Sequence, residues 1–300
     1  MSKVCMIDFH QTVIAACAVQ MKDVKDSGED LKPLVKHVAL TMILNIKKKF
    51  NGKVIIACDS NKGYWRKDEY PYYKGNRKHE DDEFLNWTLI YETLNELKIE
   101  LKENFPYIVL DVEGAEADDV IATMCKYHQD NELVFTGLIE EPVEIVIVSN
   151  DKDFQQLQKY QNVSQWNNIE KKFIECKNPI KFLEEHIALG DNTDNLPSIT
   201  TGDEWSKARA EGNPIRAKNF KQARLNDFYN KGIDACLDDN ERRNWKRNQK
   251  LIDMECIPFH INTKIISTYL DYEVKGSKTK MYNYFIKHKM KILLGSIQDF

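Results

Sequence analysis

Four apolar runs, each reading as a buried β-strand, end in acids. Residues 4–7 lead into Asp8, and residues 54–58 into Asp59. Residues 107–112 lead into Glu116-Ala117-Asp118-Asp119, and residues 145–148 into Ser149-Asn150-Asp151-Lys152-Asp153. A fifth acidic motif, Gly190-Asp191-Asn192-Thr193-Asp194-Asn195, follows a helical stretch. In an α/β protein the carboxyl ends of neighbouring strands converge on one edge of the sheet, where such folds place their sites. Carboxylates gathered there from distant positions repel one another, and a hard divalent cation among them relieves the repulsion.

The intervening segments fit that frame. Residues 31–49 have Leu34, Val38, Thr41, Met42 and Ile46 at helical spacing, with Lys47, Lys48 and Lys49 near the C-terminus where cations suit the helix dipole. Residues 83–104 and about 117–128 also read as helices. Residues 163–166 and 172–176 flank Asn167-Asn168 as a hairpin. After residue 178 the strand signal stops. The chain is therefore expected to fold as an α/β domain over residues 1–180, with a mostly parallel central sheet flanked by helices. A helical part follows over residues 181–300, and the aperiodic segment 60–82 is a long functional loop.

A single Asp after a strand is usually an N-cap or a first-turn acid, and Asp118 and Asp119 fit that plain reading. The joint pattern of Asp8, Asp59, Glu116, Asp118, Asp119, Asp151 and Asp153 at one edge does not. The sequence has no His-Cys cluster nearby, so an all-oxygen site for Mg2+, with Mn2+ as substitute, is expected rather than zinc. Two such ions roughly 4 Å apart would clamp the attacking and leaving oxygens of a phosphodiester. His10, beside Asp8, reads as a packing residue.

Net charge is only −4, but its distribution is uneven. Residues 62–78 carry six Lys/Arg against two acids, 205–224 six against one, 242–250 five against none, and 275–291 six against none. Acidic motifs flanked by basic stretches suit an enzyme acting on a polyanion. In residues 63–78, four tyrosines and a tryptophan interleave with Arg and Lys. Cations there can neutralise phosphates while aromatic faces stack on unpaired bases; the plain alternative is a surface loop with its aromatics tucked beneath. The seven cysteines form no C-x-x-C pair and read as reduced thiols of a cytoplasmic protein. No run has the length of a membrane span.

The chain resembles the flap endonuclease-type 5′-nuclease family, and within it the T-even phage ribonuclease H branch. The resemblance rests on Ile7-Asp8-Phe9, Cys58-Asp59-Ser60, Gly63-Tyr64-Trp65-Arg66, Tyr73-Lys74-Gly75-Asn76-Arg77, Glu116-Ala117-Asp118-Asp119, Asp151-Lys152-Asp153-Phe154 and the Gly190–Asn195 motif, in that order. It implies a sheet flanked by helices, an arch over the site and a helical duplex-binding region. It implies that Asp8, Asp59, Glu116, Asp118, Asp119, Asp151 and Asp153 bind or organise a first metal region, with Asp191 and Asp194 serving a second. Catalytic roles fall to Asp8, Asp59, Lys74 and Arg77, the last two engaging the scissile phosphate and the single strand. Arg66, Lys67, Tyr72, Lys74, Arg77, Lys78, Lys207, Arg209, Arg216 and Lys218 become DNA contacts. The implied activity is a magnesium-dependent 5′-3′ nuclease that removes RNA primers and 5′ flaps. It would be a monomer in the host cytoplasm if phage-encoded, with a single-strand binding protein or sliding clamp as partner. One departure stands out. Residues 196–203 lack the glycine pair with which many members bind potassium and a duplex phosphate, so the grip on duplex falls to the cations of residues 207–224.

Two other classes compete. A haloacid dehalogenase-type phosphatase would use Asp8-Phe9-His10-Gln11-Thr12, but His10 stands where that chemistry needs a second Asp, and Asp59, Glu116 and the basic aromatic segment are left without a role. A non-catalytic DNA-junction binder predicts losses among the acids, and every matched acid is present.

Overall fold

The computed structural model describes residues 3–20, 31–79, 86–131, 133–136 and 139–300. The expected helix start at residues 83–85 and the expected arch residues 80–82 lie outside them, as does the Lys78 side chain. In chain order the elements are β1 (Lys3–Asp8), α1 (Phe9–Gln20), α2 (Leu31–Phe50), β2 (Lys53–Cys58), α3 (Trp65–Glu69), α4 (Trp87–Asn104), β3 (Ile108–Asp111), α5 (Ala117–Asn131), β4 (Leu133–Thr136), β5 (Ile139–Pro142), β6 (Glu144–Val148), β7 (Val163–Asn167) and β8 (Lys172–Ile174). Helices follow: α6 (Pro179–Leu189), α7 (Asp203–Ala210), α8 (Leu225–Lys231), α9 (Asp239–Ile252), α10 (Phe259–Leu270), α11 (Lys278–Lys287) and α12 (Lys291–Gly295).

Six strands form one sheet in the order β3-β2-β1-β6-β7-β8, parallel except for the last pair. The reason is visible in the strands. Their side chains alternate between faces, and both faces are covered, so the runs read as continuously apolar rather than alternating. Cys5, Ile7, Val54, Ile56, Val146 and Val148 point into one core with α1, α2 and α4. Val4, Met6, Ile55, Ala57, Ile145 and Ile147 point into the other with α5 and α10. From β1 the chain steps outward to β2 and β3, then returns to place β6 on β1's other side. The reversal makes the crevice between the ends of β1 and β6 the topological switch point.

The helical part is divided in its packing. Residues of α6, α8 and α9 build a third core around Ile187, Phe228 and Trp245, and Tyr70 and Tyr73 of the basic aromatic segment insert into it. The last helices return to the sheet: Ile261 and Ile265 pack on the α5 face, and Met281, Tyr284, Phe285 and Leu293 on the α2/α4 face. Among the C-terminal apolar residues, Tyr282 and Ile292 stay exposed.

Segment 60–79 is more ordered than a loop. It contains α3 and a 3-10 turn, Gly75–His79. The short β4–β5 hairpin and α1 are further elements the sequence did not announce. No described helix is long and apolar enough to cross a membrane. All seven cysteines are free thiols, and Cys5, Cys17, Cys58 and Cys125 are buried.

Candidate active site

The strand-end acids meet above the switch point. Asp8 closes β1 and is buried; its oxygens accept from Ser149 Oγ at 3.0 Å and from the Gln11 amide at 3.3 Å. Burial, then the charges of Asp59 and Asp151, push its pKa up to about 8. Asp59 follows β2 and accepts the Ala117 amide at 2.9 Å, so it anchors the first turn of α5, where an anion suits the helix dipole. Lys98, 2% exposed, holds this corner from behind. Its Nζ reaches the Asp59 carbonyl at 3.0 Å, Asp111 at 3.1 Å and Asn61 at 3.3 Å. Asp118 lies in the first turn of α5, and its pKa rises well above the carboxylate range through burial and the facing charges of Asp151 and Asp8. Asp151 caps the turn after β6 by accepting the Asp153 amide at 2.9 Å, and burial raises it too. The loop carrying it is fixed by Gln11, which accepts the Asn150 amide at 3.1 Å, and by Gln165, which donates to the carbonyls of Ser149 and Asp151.

A second group of acids has cations of its own. Glu116, 1% exposed, accepts from Arg66 at 2.9 Å, Tyr73 Oη at 3.1 Å and Lys74 Nζ at 2.5 Å. Burial alone would raise its pKa; Lys74 and Arg66 outweigh that and hold it at about 2. Asp119, fully buried, lies 2.8 Å from Arg66 and accepts from Trp65 Nε1 at 3.0 Å and from the Glu116 amide at 2.9 Å. Arg66 also donates through Nε to the Leu251 carbonyl at 2.9 Å.

The fifth motif joins these groups from the helical side. Helix α6 starts with Asn178 accepting the Lys181 amide and Pro179 in the first turn, and it ends at Gly190 with φ +72°. A Cβ at Gly190 would come within 2.4 Å of the Leu196 and Pro197 carbonyl oxygens, so only glycine permits the turn. Asp191 then accepts on one oxygen from the Thr193 amide and hydroxyl and the Asp194 amide, and on the other from Lys152 at 2.9 Å and His186 at 3.1 Å. Burial opposes its charge, yet these donors drive its pKa far below the usual range. Asp194 shares the single Tyr73 Oη proton with Glu116, at 2.8 Å, and accepts from Arg77 at 3.0 Å, with Lys74 Nζ at 3.8 Å. Asn195, at φ +61°, donates to the Tyr72 and Ser206 carbonyls and so ties the segment to α7. In the loop beyond, the carbonyls of Pro197, Ile199 and Thr201 already accept from Arg247, Asn248 and Asn244 on α9.

The expected DNA contacts divide. Lys67, Lys207, Arg216 and Lys218 are exposed, Arg77 is half-exposed, and Tyr72 is half-buried with its ring edge-on to Tyr70. Arg209 lies over the Trp205 ring and donates to the Asn192 carbonyl. Arg66 is a correction: it is only 3% exposed, enclosed by Trp65, Glu116, Asp119 and Leu251, and has no face left for a phosphate. Trp65, Tyr70 and Tyr73 are likewise buried, not presented to bases. Sequence reasoning missed Lys98, Gln11, Gln165, Lys152, Tyr73 and His186. Of these, Gln11, Lys152 and Tyr73 lie inside a singled-out motif.

The donor set tests the expected metal directly. Glu116, Asp119 and Asp194 are matched by cationic side chains, whereas Asp8 and Asp118 are opposed by other acids. A partly buried oxygen cluster with that imbalance fits a hard divalent cation. The phosphatase alternative has no support in His10, whose Nδ1 accepts from the Asp59 amide at 3.4 Å, a packing role.

This chain belongs to the 5′-3′ exonuclease and flap endonuclease family of nucleases. The family model "5′-3′ exonuclease, N-terminal resolvase-like domain" matches residues 3–186, and "T4 RNase H, C terminal" matches residues 180–300. Ribonuclease H of Enterobacteria phage T4 is 33% identical over 307 residues, covering 99% of this chain and 95% of the phage protein. Flap endonuclease Xni of Shewanella piezotolerans is 30% identical over 66% of this chain and 72% of its own length. Among solved structures, the T5 D15 protein co-crystallised with metal ions shares the fold, with TM-score 0.60 at 15% identity, over 90% of this chain and 99% of that one.

Proposed function

We propose that this nuclease is magnesium-dependent and removes RNA primers and 5′ flaps, cutting phosphodiesters near 5′ ends of DNA and RNA·DNA. The observation that carries the reading is the set of converging acids, buried Asp8 with half-buried Asp118 and Asp151, opposed by one another. These three, with Asp59 and Asp153, would hold a divalent cation, and Asp194 would serve a second. Such ions supply an activated water and charge neutralisation at the phosphodiester. The metal-bound T5 D15 protein supports the expectation at the level of fold.

The chain's own residues position the substrate. Lys74 stays protonated: burial opposes its charge, but Asp194 and Glu116 hold its pKa well above normal. Its backbone, at φ +53°, is fixed by the Lys74 amide bond to the Asp194 carbonyl at 2.9 Å. Beside it, Arg77 presents a half-exposed guanidinium. An entering phosphate exchanges contacts to Asp194 for contacts to its own oxygens, which brings the scissile bond over the acids. Asp119 and Asp191 are held by protein donors, and Arg66 is spent on Glu116, Asp119 and the Leu251 carbonyl, so the three act as organisers rather than open ligands. Lys207, Arg216 and Lys218 lie exposed in one stretch and would follow the duplex backbone.

The test is cleavage of 5′-labelled flap, nicked RNA·DNA and phosphomonoester substrates, with magnesium and with EDTA. Magnesium-dependent release of short 5′ products is expected; monoester turnover without nucleic-acid cleavage overturns the reading.

A further inference from the structure

His186 lies in no motif, yet it joins two of them. It sits buried in the last turn of α6, with Nδ1 3.4 Å from Asp153 Oδ1 and Nε2 3.1 Å from Asp191 Oδ2. The Phe182 ring stands edge-on to it at 5.6 Å, and the His186 carbonyl accepts the Gly190 amide at 2.8 Å. Ring and backbone are therefore both fixed. One side of the imidazole meets the loop after β6, and the other meets the loop after α6. Asp191 passes the constraint on, because its second oxygen holds the Thr193 and Asp194 amides.

We propose that His186 is a positioning residue that locks the Asp153 loop to the Asp191–Asp194 loop, so that these acids present a preformed site to a divalent cation. The proposal rests on the reading that Asp151, Asp153 and Asp194 take such a cation. The ligand atoms of Asp153, His186 and Asp191 lie within 4.8 Å of one another. Asp191, however, is saturated by Lys152, Thr193 and His186, and each ring nitrogen already faces an acid. The trio is thus a bridge between carboxylates rather than a ligand set. Asp153, with its one 3.4 Å approach from the ring, keeps lone pairs available. Outer residues that orient metal ligands typically change metal affinity by about 10–100-fold when removed.

Two variants separate positioning from bulk. His186→Phe keeps a ring against Phe182 and removes both ring nitrogens; His186→Gln keeps a polar group able to reach one acid. The readouts are calorimetric titration of Mn2+ into the full-length protein without DNA, the magnesium concentration giving half-maximal cleavage, and melting in EDTA. For His186→Phe, the Mn2+ dissociation constant and the half-maximal magnesium concentration rise about tenfold or more. The rate at saturating magnesium stays within a few-fold of the parent, and His186→Gln falls between. Unchanged Mn2+ affinity in His186→Gln, whatever its melting temperature, overturns the proposal and leaves His186 a packing residue. If the parent itself neither binds Mn2+ nor cleaves with magnesium, it is the metal-nuclease reading that fails.

Discussion

Replacing Arg66 with Ala separates a buried organiser from a DNA contact. The guanidinium is enclosed between Glu116, 1% exposed, and Asp119, fully buried, and its Nε satisfies the Leu251 carbonyl. Removing it leaves two buried carboxylates short of a cation and one carbonyl without that donor. Breaking a buried pair costs about 3–5 kcal/mol, and an unsatisfied carbonyl about 1–3, giving about 4–8 kcal/mol. That is a large share of the roughly 5–15 kcal/mol that holds a typical protein folded. In a chain of this size it lowers Tm by roughly 6–13 °C. Arg66→Lys keeps the charge but cannot reach both acids and Leu251 together, so its loss is smaller. The assay is urea unfolding by circular dichroism in EDTA, with DNA affinity measured on whichever variant stays folded. Adding Glu116→Gln and Asp119→Asn to Arg66→Ala should recover part of the loss, because the uncompensated charges are then gone. The reasoning is refuted if Arg66→Ala unfolds within about 1 kcal/mol of the parent while its DNA affinity drops.

Three further outcomes follow from the site. Asp151→Asn abolishes cleavage while duplex binding, measured by fluorescence anisotropy, stays near that of the parent; residual turnover above a tenth would exclude Asp151 as an essential metal ligand. Lys74→Ala slows single-turnover cleavage by about 10²–10³ with a smaller change in affinity, and an unchanged rate removes Lys74 from phosphate positioning. In EDTA, stability falls as pH rises from 5 to 7. Asp8 and Asp153 titrate at about 8 and about 7 in the fold, with burial the main cause, and near 4 when unfolded. The folded state therefore binds the extra protons, and each acid withdraws about 1.4 kcal/mol per pH unit across that window. His186, whose pKa is raised by Asp191 and Asp153 against the opposing effect of burial, acts in the same direction. Glu116 and Asp191 titrate below the window. Divalent cation should flatten the dependence, and stability in EDTA that is level or rising over pH 5–7 contradicts the assignment.

What could be read in the sequence is what local pattern encodes. Strands β1, β2, β3 and β6 are apolar on both faces because both are covered, and the acid after each marks the edge they share. Helix α1 escaped notice because its sequence has hardly any polar face to set a period. His186 and Lys98 escaped for a different reason: each is one residue on an otherwise ordinary helix, and their partners come from other elements. Nothing in the neighbourhood of Lys98 shows that its Nζ will reach Asp111 and the Asp59 carbonyl.

The basic aromatic segment shows where residue type stops being informative. Arg66, Lys74 and Arg77 read alike in sequence, as cations among aromatics. In the fold their side chains are 4%, 15% and 53% exposed. Burial decides whether a cation's field is used up by the protein's own acids or remains for a phosphate. Arg66 faces only Glu116, Asp119 and Leu251 and stabilises the fold. Lys74 faces Glu116 and Asp194 at the rim, and Arg77 shares Asp194 with solvent. The three form a graded series from enclosed to solvent-facing, ordered by depth. That depth is set by Tyr70 and Tyr73, which insert into the helical core and draw the segment down onto the acids. The tyrosines expected to stack on bases instead place the lysine and arginine proposed to meet the backbone.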